Sequence, residues 1–284
     1  MARMQARQKI VLAAVLACLL GGTALFAGCV TTSGRETTAK SLAAILAGKQ
    51  RTAADRARDA FQHPEQTLLF FGIRPDTRAL QVWPESGGYT KIIAPLVHAH
   101  GRYYAGVIAP EPGSRFLTAR LARYRLLLAS RPDLYDRVKV VTFPLNGGDV
   151  VPPGSVNMVL SFQDLHEWMA LGDAQQALDT IYRALAPGGV FGVVDNRGDP
   201  GVPQDPRAKN GYVRQDYAIR LIETAGFRLV ATSEVNANPK DTKNYPAGVW
   251  ALPPDYRLGS VDRAKYAAIG ASDRFTLKFV KPRN

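Results

Sequence analysis

The sequence predicts an α/β protein built on a mostly parallel, seven-stranded sheet. Three observations carry this. Short apolar runs alternate with amphipathic helical stretches over residues 79–225. Glycine and proline stand at the joints, as Gly87-Gly88, Pro187-Gly188-Gly189 and Gly226. Two late apolar runs, 227–234 and 275–280, follow without a helical unit of the same kind and predict a C-terminal antiparallel hairpin. Alternating strands and helices imply parallel strands covered on both faces.

The elements follow in order. Residues 30–40 are Thr, Ser, Gly and charge, and read as a tether. Leu42, Ile45 and Leu46 give 41–60 a helical spacing, and 64–71 is a short helix running into Gly72. Strands are predicted at 79–83, 103–109, 138–143, 156–162 and 190–195. Between them, 91–99, 114–129 and 174–185 read as helices, the second with Phe116, Leu117, Leu121, Tyr124 and Leu128 on one side. Residues 146–155 are a loop, and 214–225 is a helix stopped by Gly226. The insertion 236–273 contains Pro239, Pro246, Pro253 and Pro254 and is expected to be long and irregular. Loops of that length in a compact domain are functional or disordered.

Composition bounds the function. The 284 residues carry a net charge of +12, with 46% hydrophobic and 21% charged residues. That excludes wholesale disorder, a collagen-like chain and a multi-span membrane protein. Two cysteines are too few for a disulfide framework or a cysteine-rich zinc protein. His98 and His100 are two apart on a predicted helix and face different directions, so no metal site is expected. Arg115, Arg120, Arg123, Arg125 and Arg131 read as the solvated side of a helix. No nucleic-acid partner is expected, because aromatic and basic residues do not interleave along a groove.

The N-terminus differs from the rest. Arg3, Arg7 and Lys9 precede an apolar run at 10–20, small residues follow, and no acid appears before Glu36. This is the layout of a secretory signal over 1–28. Leu25-Phe26-Ala27-Gly28-Cys29 resembles a bacterial lipobox, with Phe26 where Leu is usual. The expectation is a lipid on Cys29 and a periplasmic protein anchored to the membrane through it; an uncleaved anchor or a plain signal cut nearby are the other readings. Removing 1–28 leaves 33 basic against 24 acidic residues, a charge of +9. The chain then divides into a tether and N-terminal helix over 29–60 and one α/β domain over 61–284 that contains the insertion 236–273.

The first strand ends in Val82-Trp83-Pro84-Glu85-Ser86-Gly87-Gly88, and the fifth is preceded by Leu185-Ala186-Pro187-Gly188-Gly189. With the element order, these resemble the Rossmann-like class I S-adenosylmethionine-dependent methyltransferases. Further segments resemble a family of exported predicted methyltransferases over about 60–283. They are Leu160 through Trp168, Gly192-Val193-Val194-Asp195, Ser233 through Asp241, Gly248 through Pro254, and Ala271-Ser272-Asp273-Arg274.

The resemblance implies a function and a site. S-adenosylmethionine is the implied cofactor, with Gln81, Trp83, Pro84, Glu85, Ser86, Gly87 and Gly88 against it on one side. Phe162, Gln163 and Asp164 line the other side. His166 is the implied base beside the methyl path, and Asp195, on the same rim, is a base, a substrate anchor or simply a strand-end loop residue. Arg197 follows the fifth strand on the same rim. Glu234, Asn236 and Asn238 stand out for another reason, the crowding of polar and aromatic groups in and beside the insertion. That crowding suits a lid or acceptor pocket or a self-packed surface loop whose Asn and Asp satisfy turns. With Arg197 they are the candidates for holding an unknown small acceptor. The other reading of His166 is a helix-start residue bonded locally. The chain departs from the class at Gln81 and Asn157, where acids are usual, and at the end of the second strand, where Glu111 comes late. These departures leave open a non-catalytic periplasmic binding protein on the same fold. A cytoplasmic enzyme held at the membrane by an uncleaved N-terminus is the third reading.

Overall fold

The structure, a computed structural model, describes residues 34–84, 86–110 and 113–283. Cys29 and the rest of the signal and lipobox segment, Glu85 and Glu111 lie outside the described residues.

The strands are β1 (Arg78–Val82), β2 (Arg102–Val107), β3 (Lys139–Thr142), β4 (Val156–Phe162), β5 (Leu185–Asn196), β6 (Arg228–Ser233) and β7 (Arg274–Val280). They form one seven-stranded sheet in the order β3-β2-β1-β4-β5-β7-β6. β1 to β5 are mutually parallel, while β7 runs antiparallel to both β5 and β6. The predicted α/β fold with an antiparallel C-terminal pair is therefore the observed one. The helices are α1 (34–46), α2 (Ala53–Gln62), α3 (Pro64–Phe71), α4 (Thr90–Val97), α5 (Arg115–Ser130), α6 (Pro132–Tyr135), α7 (Leu165–Leu171), α8 (Ala174–Ala184), α9 (Gln215–Thr224) and α10 (Arg263–Ile269).

Central strands are buried on both faces, which is why β4 carries the consecutive apolar residues Met158, Val159 and Leu160 rather than an alternating pattern. One face packs Leu80, Val159 and Val193 against Leu178 and Ile181 of α8 and Ile222 of α9. The other packs Ala79, Met158 and Leu160 against Leu42, Phe71 and Ile93. Leu42 places α1 inside this core, so the first described residues are helical and docked rather than a tether.

Four local readings change. Residues 41–60 are two helices, because Thr52 starts a new one. Its hydroxyl accepts from the Asp55 amide at 3.1 Å, and the Asp55 carboxylate accepts from the Thr52 amide at 2.8 Å, a reciprocal capping box. Pro187-Gly188-Gly189 lies within β5 instead of before it. Pairing with β4 jumps from Val156 opposite Leu185 to Met158 opposite Val190, and the extra residues bulge out. Lys281 pins that bulge, its backbone accepting from Gly188 at 2.8 Å and donating to Gly189 at 2.9 Å. The insertion 236–273 is ordered. It contains a 3-10 turn (Gly248–Ala251) and α10, and it builds a small core of Tyr245, Ala251, Leu252 and Tyr266 with Tyr212. On α5 only Leu121 and Tyr124 are buried, while Phe116 is 66% exposed.

Candidate functional site

The sheet order reverses between β1 and β4, and a crevice opens at the carboxyl ends of strands there. The loop after β1 shapes one wall. Trp83 takes a left-handed conformation (φ 46°), and its amide donates to the Gly106 carbonyl at 2.8 Å. The Gly87 amide closes a turn onto the Pro84 carbonyl at 2.7 Å, with φ 72°. A Cβ on Gly87 would lie 2.2 Å from Leu127 Cδ2 on α5, so the conformation favours glycine and any larger residue would also have to turn the Leu127 side chain aside. A Cβ on Gly88 would meet nothing nearer than Ser86 Oγ at 3.9 Å.

The crevice is lined from this side by Gln81, Trp83, Ser86, Gly88 and Tyr89. Phe162, Gln163 and Val194 line it from β4 and β5. Tyr89 stacks face to face on Phe162, with centroids 3.6 Å apart and planes at 4°. Burial pushes the Tyr89 hydroxyl well above its ordinary pKa. Gln81 is held by a buried hydroxyl chain: Tyr103 Oη donates to its Oε1 at 2.7 Å, Thr90 Oγ1 lies 3.0 Å from Tyr103 Oη, and Tyr124 Oη lies 3.0 Å from Thr90 Oγ1. Gln163 is strained (φ 67°) and anchored by its amide on the Val194 carbonyl at 2.7 Å. Its Nε2 donates to Asn196 Oδ1 at 3.0 Å. Asp164 folds back on the strand end, accepting from Ser161 Oγ at 2.9 Å and the Phe162 amide at 3.1 Å.

His166 and Asp195 meet outside the residues that line this crevice. His166 Nδ1 lies 2.8 Å from Asp195 Oδ1, and its amide donates to Asp195 Oδ2 at 3.1 Å. Asp195 also accepts from the Asn196 amide at 2.6 Å. The His166 ring is buried beside Trp250, with Glu167 Oε1 3.4 Å from Nε2. Burial pushes the imidazole pKa down, but the Asp195 carboxylate, helped by Glu167, outweighs it and raises the value to about 10. At neutral pH the ring is therefore a cation with no lone pair to offer a proton, so a general-base role requires alkaline solution.

The four candidate acceptor residues separate into two kinds. Arg197 and Glu234 form an ion pair at 2.5 Å on the rim. Asn236 is buried and ties the insertion to the sheet, donating to Thr67 Oγ1 at 3.0 Å and Thr276 Oγ1 at 2.9 Å. Asn238 donates to the Ile269 and Ala271 carbonyls at 2.9 and 2.6 Å. Both amides spend their donors inside the fold.

No protein-family model matches the chain, and no curated protein matches it. Solved structures do. One is an S-adenosylmethionine-dependent methyltransferase from Aquifex aeolicus, 17% identical, with a TM-score of 0.53 over 79% of this chain and 93% of that one. Another is the [4+2]-cyclase SpnF, 16% identical, with a TM-score of 0.56 over 79% of this chain and 82% of that one. The fold is the Rossmann-like class I methyltransferase fold. One of these neighbours is named for a cyclisation, so the fold alone does not decide the reaction.

On this methyltransferase fold a second cavity of about 210 Å³ adjoins the crevice. Both are lined by Arg58, Gln62, Gln163 and Arg274, and the second adds Ala57, Phe61, Pro253, Pro254, Ala271 and Ser272. Sequence reasoning missed Arg58, Gln62, Tyr89 and Arg274 as site residues. Arg58 and Gln62 are one helical turn apart, a pattern identical to any solvated helix face. Arg274 sits in the Ala271-Ser272-Asp273-Arg274 segment, the one signal that pointed toward it.

Proposed function

We propose that the protein is an S-adenosylmethionine-dependent methyltransferase acting on a small acceptor. The observation that carries this is the crevice at the switch point, bordered by Gln81, Trp83, Ser86, Gly88, Phe162 and Gln163 on a methyltransferase fold.

The residues present fit such a cofactor. The space beside Gly88 is open, and the buried Trp83 Nε1 has no hydrogen-bond partner within the protein. Among the described residues no carboxylate lines the crevice, but the Tyr89 and Phe162 rings offer π-faces, which attract cations. When bound, S-adenosylmethionine supplies an electrophilic methyl group.

The chain's own contribution is positioning. Gln81, Trp83, Ser86 and Gly88 would hold one side of the cofactor, with Phe162 and Gln163 on the other. α2 and Pro253-Pro254 wall the adjoining cavity. Fixing two reactants in line converts a bimolecular encounter into an effectively unimolecular one. The protonated His166–Asp195 pair takes no proton at neutral pH; it holds the start of α7 against the end of β5.

The same proposal includes export and lipid anchoring through Cys29. Calorimetric titration of the full chain in detergent with S-adenosylmethionine and its demethylated product tests the cofactor assignment. A micromolar dissociation constant, about −8 kcal/mol, supports it. No heat and no thermal stabilisation at millimolar ligand refutes it.

A further inference from the structure

Arg274 stands at the junction of the two cavities, and its environment is incomplete. The side chain is 5% exposed, yet its Nε has no hydrogen-bond partner. Nη2 donates to the Phe61 carbonyl. Among the described residues, no carboxylate lies within ion-pair distance of the guanidinium. Burial lowers its pKa from the ordinary arginine value, as expected for a cation short of an anion. Buried charges are normally paired, because desolvation is costly; here the Phe61 carbonyl and the more distant Asp273 and Asp195 offset only part of it. Arginine's planar fork suits a carboxylate.

The rest of the second cavity's wall is mostly apolar; its polar members are Gln62, Gln163, Ser272 and Arg58, whose charge is already paired with Asp55. Phe61 is 47% exposed and turns into it with Ala57, Ala271 and the Pro253-Pro254 pair. A dry cavity of about 150 Å³ is known to hold benzene. About 210 Å³ therefore accommodates one ring and a small polar group. A cation at one end and a mostly apolar wall around the rest describe a receptor for a compact organic acid.

We propose that the cavity binds a single-ring carboxylic acid, its carboxylate on the Arg274 guanidinium and its body against Phe61 and Pro253-Pro254, and that a hydroxyl or amino group on its ring is the methyl acceptor. The new bond to the methyl carbon forms as the methyl–sulfur bond of S-adenosylmethionine breaks, the demethylated thioether leaves and the acceptor's proton passes to water. The acceptor role rests on the methyltransferase reading; the binding chemistry does not. S-adenosylmethionine also carries a carboxylate, so the anion at Arg274 has two sources. The apolar walls favour the acid, since an amino-acid end would leave them uncovered.

The test is calorimetric titration of the full chain in detergent with sodium benzoate, benzyl alcohol, acetate and methionine. Benzoate binds at least tenfold more tightly than benzyl alcohol or acetate, and methionine does not displace it. Arg274→Gln abolishes the preference for benzoate over benzyl alcohol. Ala57→Leu, at an exposed position on α2, narrows the cavity and weakens both ring compounds at least tenfold without lowering the melting temperature. That second variant keeps the proposal testable if Arg274→Gln fails to fold. Equal affinity for benzoate and benzyl alcohol, or no binding of benzoate, overturns the proposal. Displacement of benzoate by methionine, with methionine binding lost in Arg274→Gln, also overturns it by assigning the anion to the cofactor. Benzoate binding without S-adenosylmethionine binding sinks the methyltransferase reading and leaves the acid site. The reverse result sinks the acid site alone.

Discussion

His166 grips Asp195 twice, through its ring Nδ1 at 2.8 Å and its backbone amide at 3.1 Å. The pair joins the first turn of α7 to the end of β5, and Asp195 is fully buried. The carboxylate keeps the imidazole charged, and the imidazolium neutralises a carboxylate that would otherwise be buried alone.

That relationship makes stability fall in alkali. The folded-state pKa of His166, about 10, lies above the ordinary histidine value. Its contribution is complete below about pH 6.5, erodes as pH rises, and is gone above about 10. The amount at stake is on the order of a few kcal/mol. Denaturant unfolding of wild type and His166→Gln between pH 6 and 10 measures it. The stability difference between them should shrink steadily toward high pH; a constant difference would remove the ion pair from the account.

Gly87 and Gly88 should separate folding from binding. Gly87→Ala forces a side chain into a left-handed turn and against Leu127, and should cost about 1–3 kcal/mol of stability. Gly88→Ala meets open space, so the melting temperature should hold. Its methyl group projects into the crevice and should weaken S-adenosylmethionine about tenfold or more. Binding unchanged in Gly88→Ala would place the cofactor elsewhere.

Asp55 should govern acid stability. It is buried, accepts from Lys91 Nζ at 2.6 Å and closes the capping box with Thr52. Burial alone would raise its pKa, but Lys91 and the Thr52 bonds outweigh that and lower it to about 2. The stabilisation is therefore present above about pH 4 and lost as pH falls through 2. Asp55→Asn keeps the shape but weakens these bonds, at about 1–3 kcal/mol. Equilibrium unfolding at pH 7 and pH 2.5 should show the penalty at the first pH and much less at the second.

The N-terminus is decided by mass. Protein recovered from the membrane fraction of an exporting bacterium should begin at a diacylated Cys29. An intact Met1 would instead favour an enzyme held by an uncleaved anchor on the cytoplasmic face.

By itself the sequence determined the alternation of strands and helices, the consecutive apolar residues at the centre of β4 and the glycine turn after β1. Periodicity, burial and φ preference are local, so they are written in adjacent residues. It also placed one side of the crevice, because Trp83, Ser86 and Gly88 lie at a strand end that α/β topology turns into a ligand site. Only the tertiary structure decided that β7 slots between β5 and β6, which depends on pairing across the whole insertion. It turned Asn236 and Asn238 inward to hold that insertion, where their polar crowding had suggested a contact with ligand. And it brought Arg58, Gln163 and Arg274 to one cavity junction from positions more than a hundred residues apart. No spacing rule links such positions; they meet because helices and strands packed to bury Leu42, Phe71 and Ile93 carry them there.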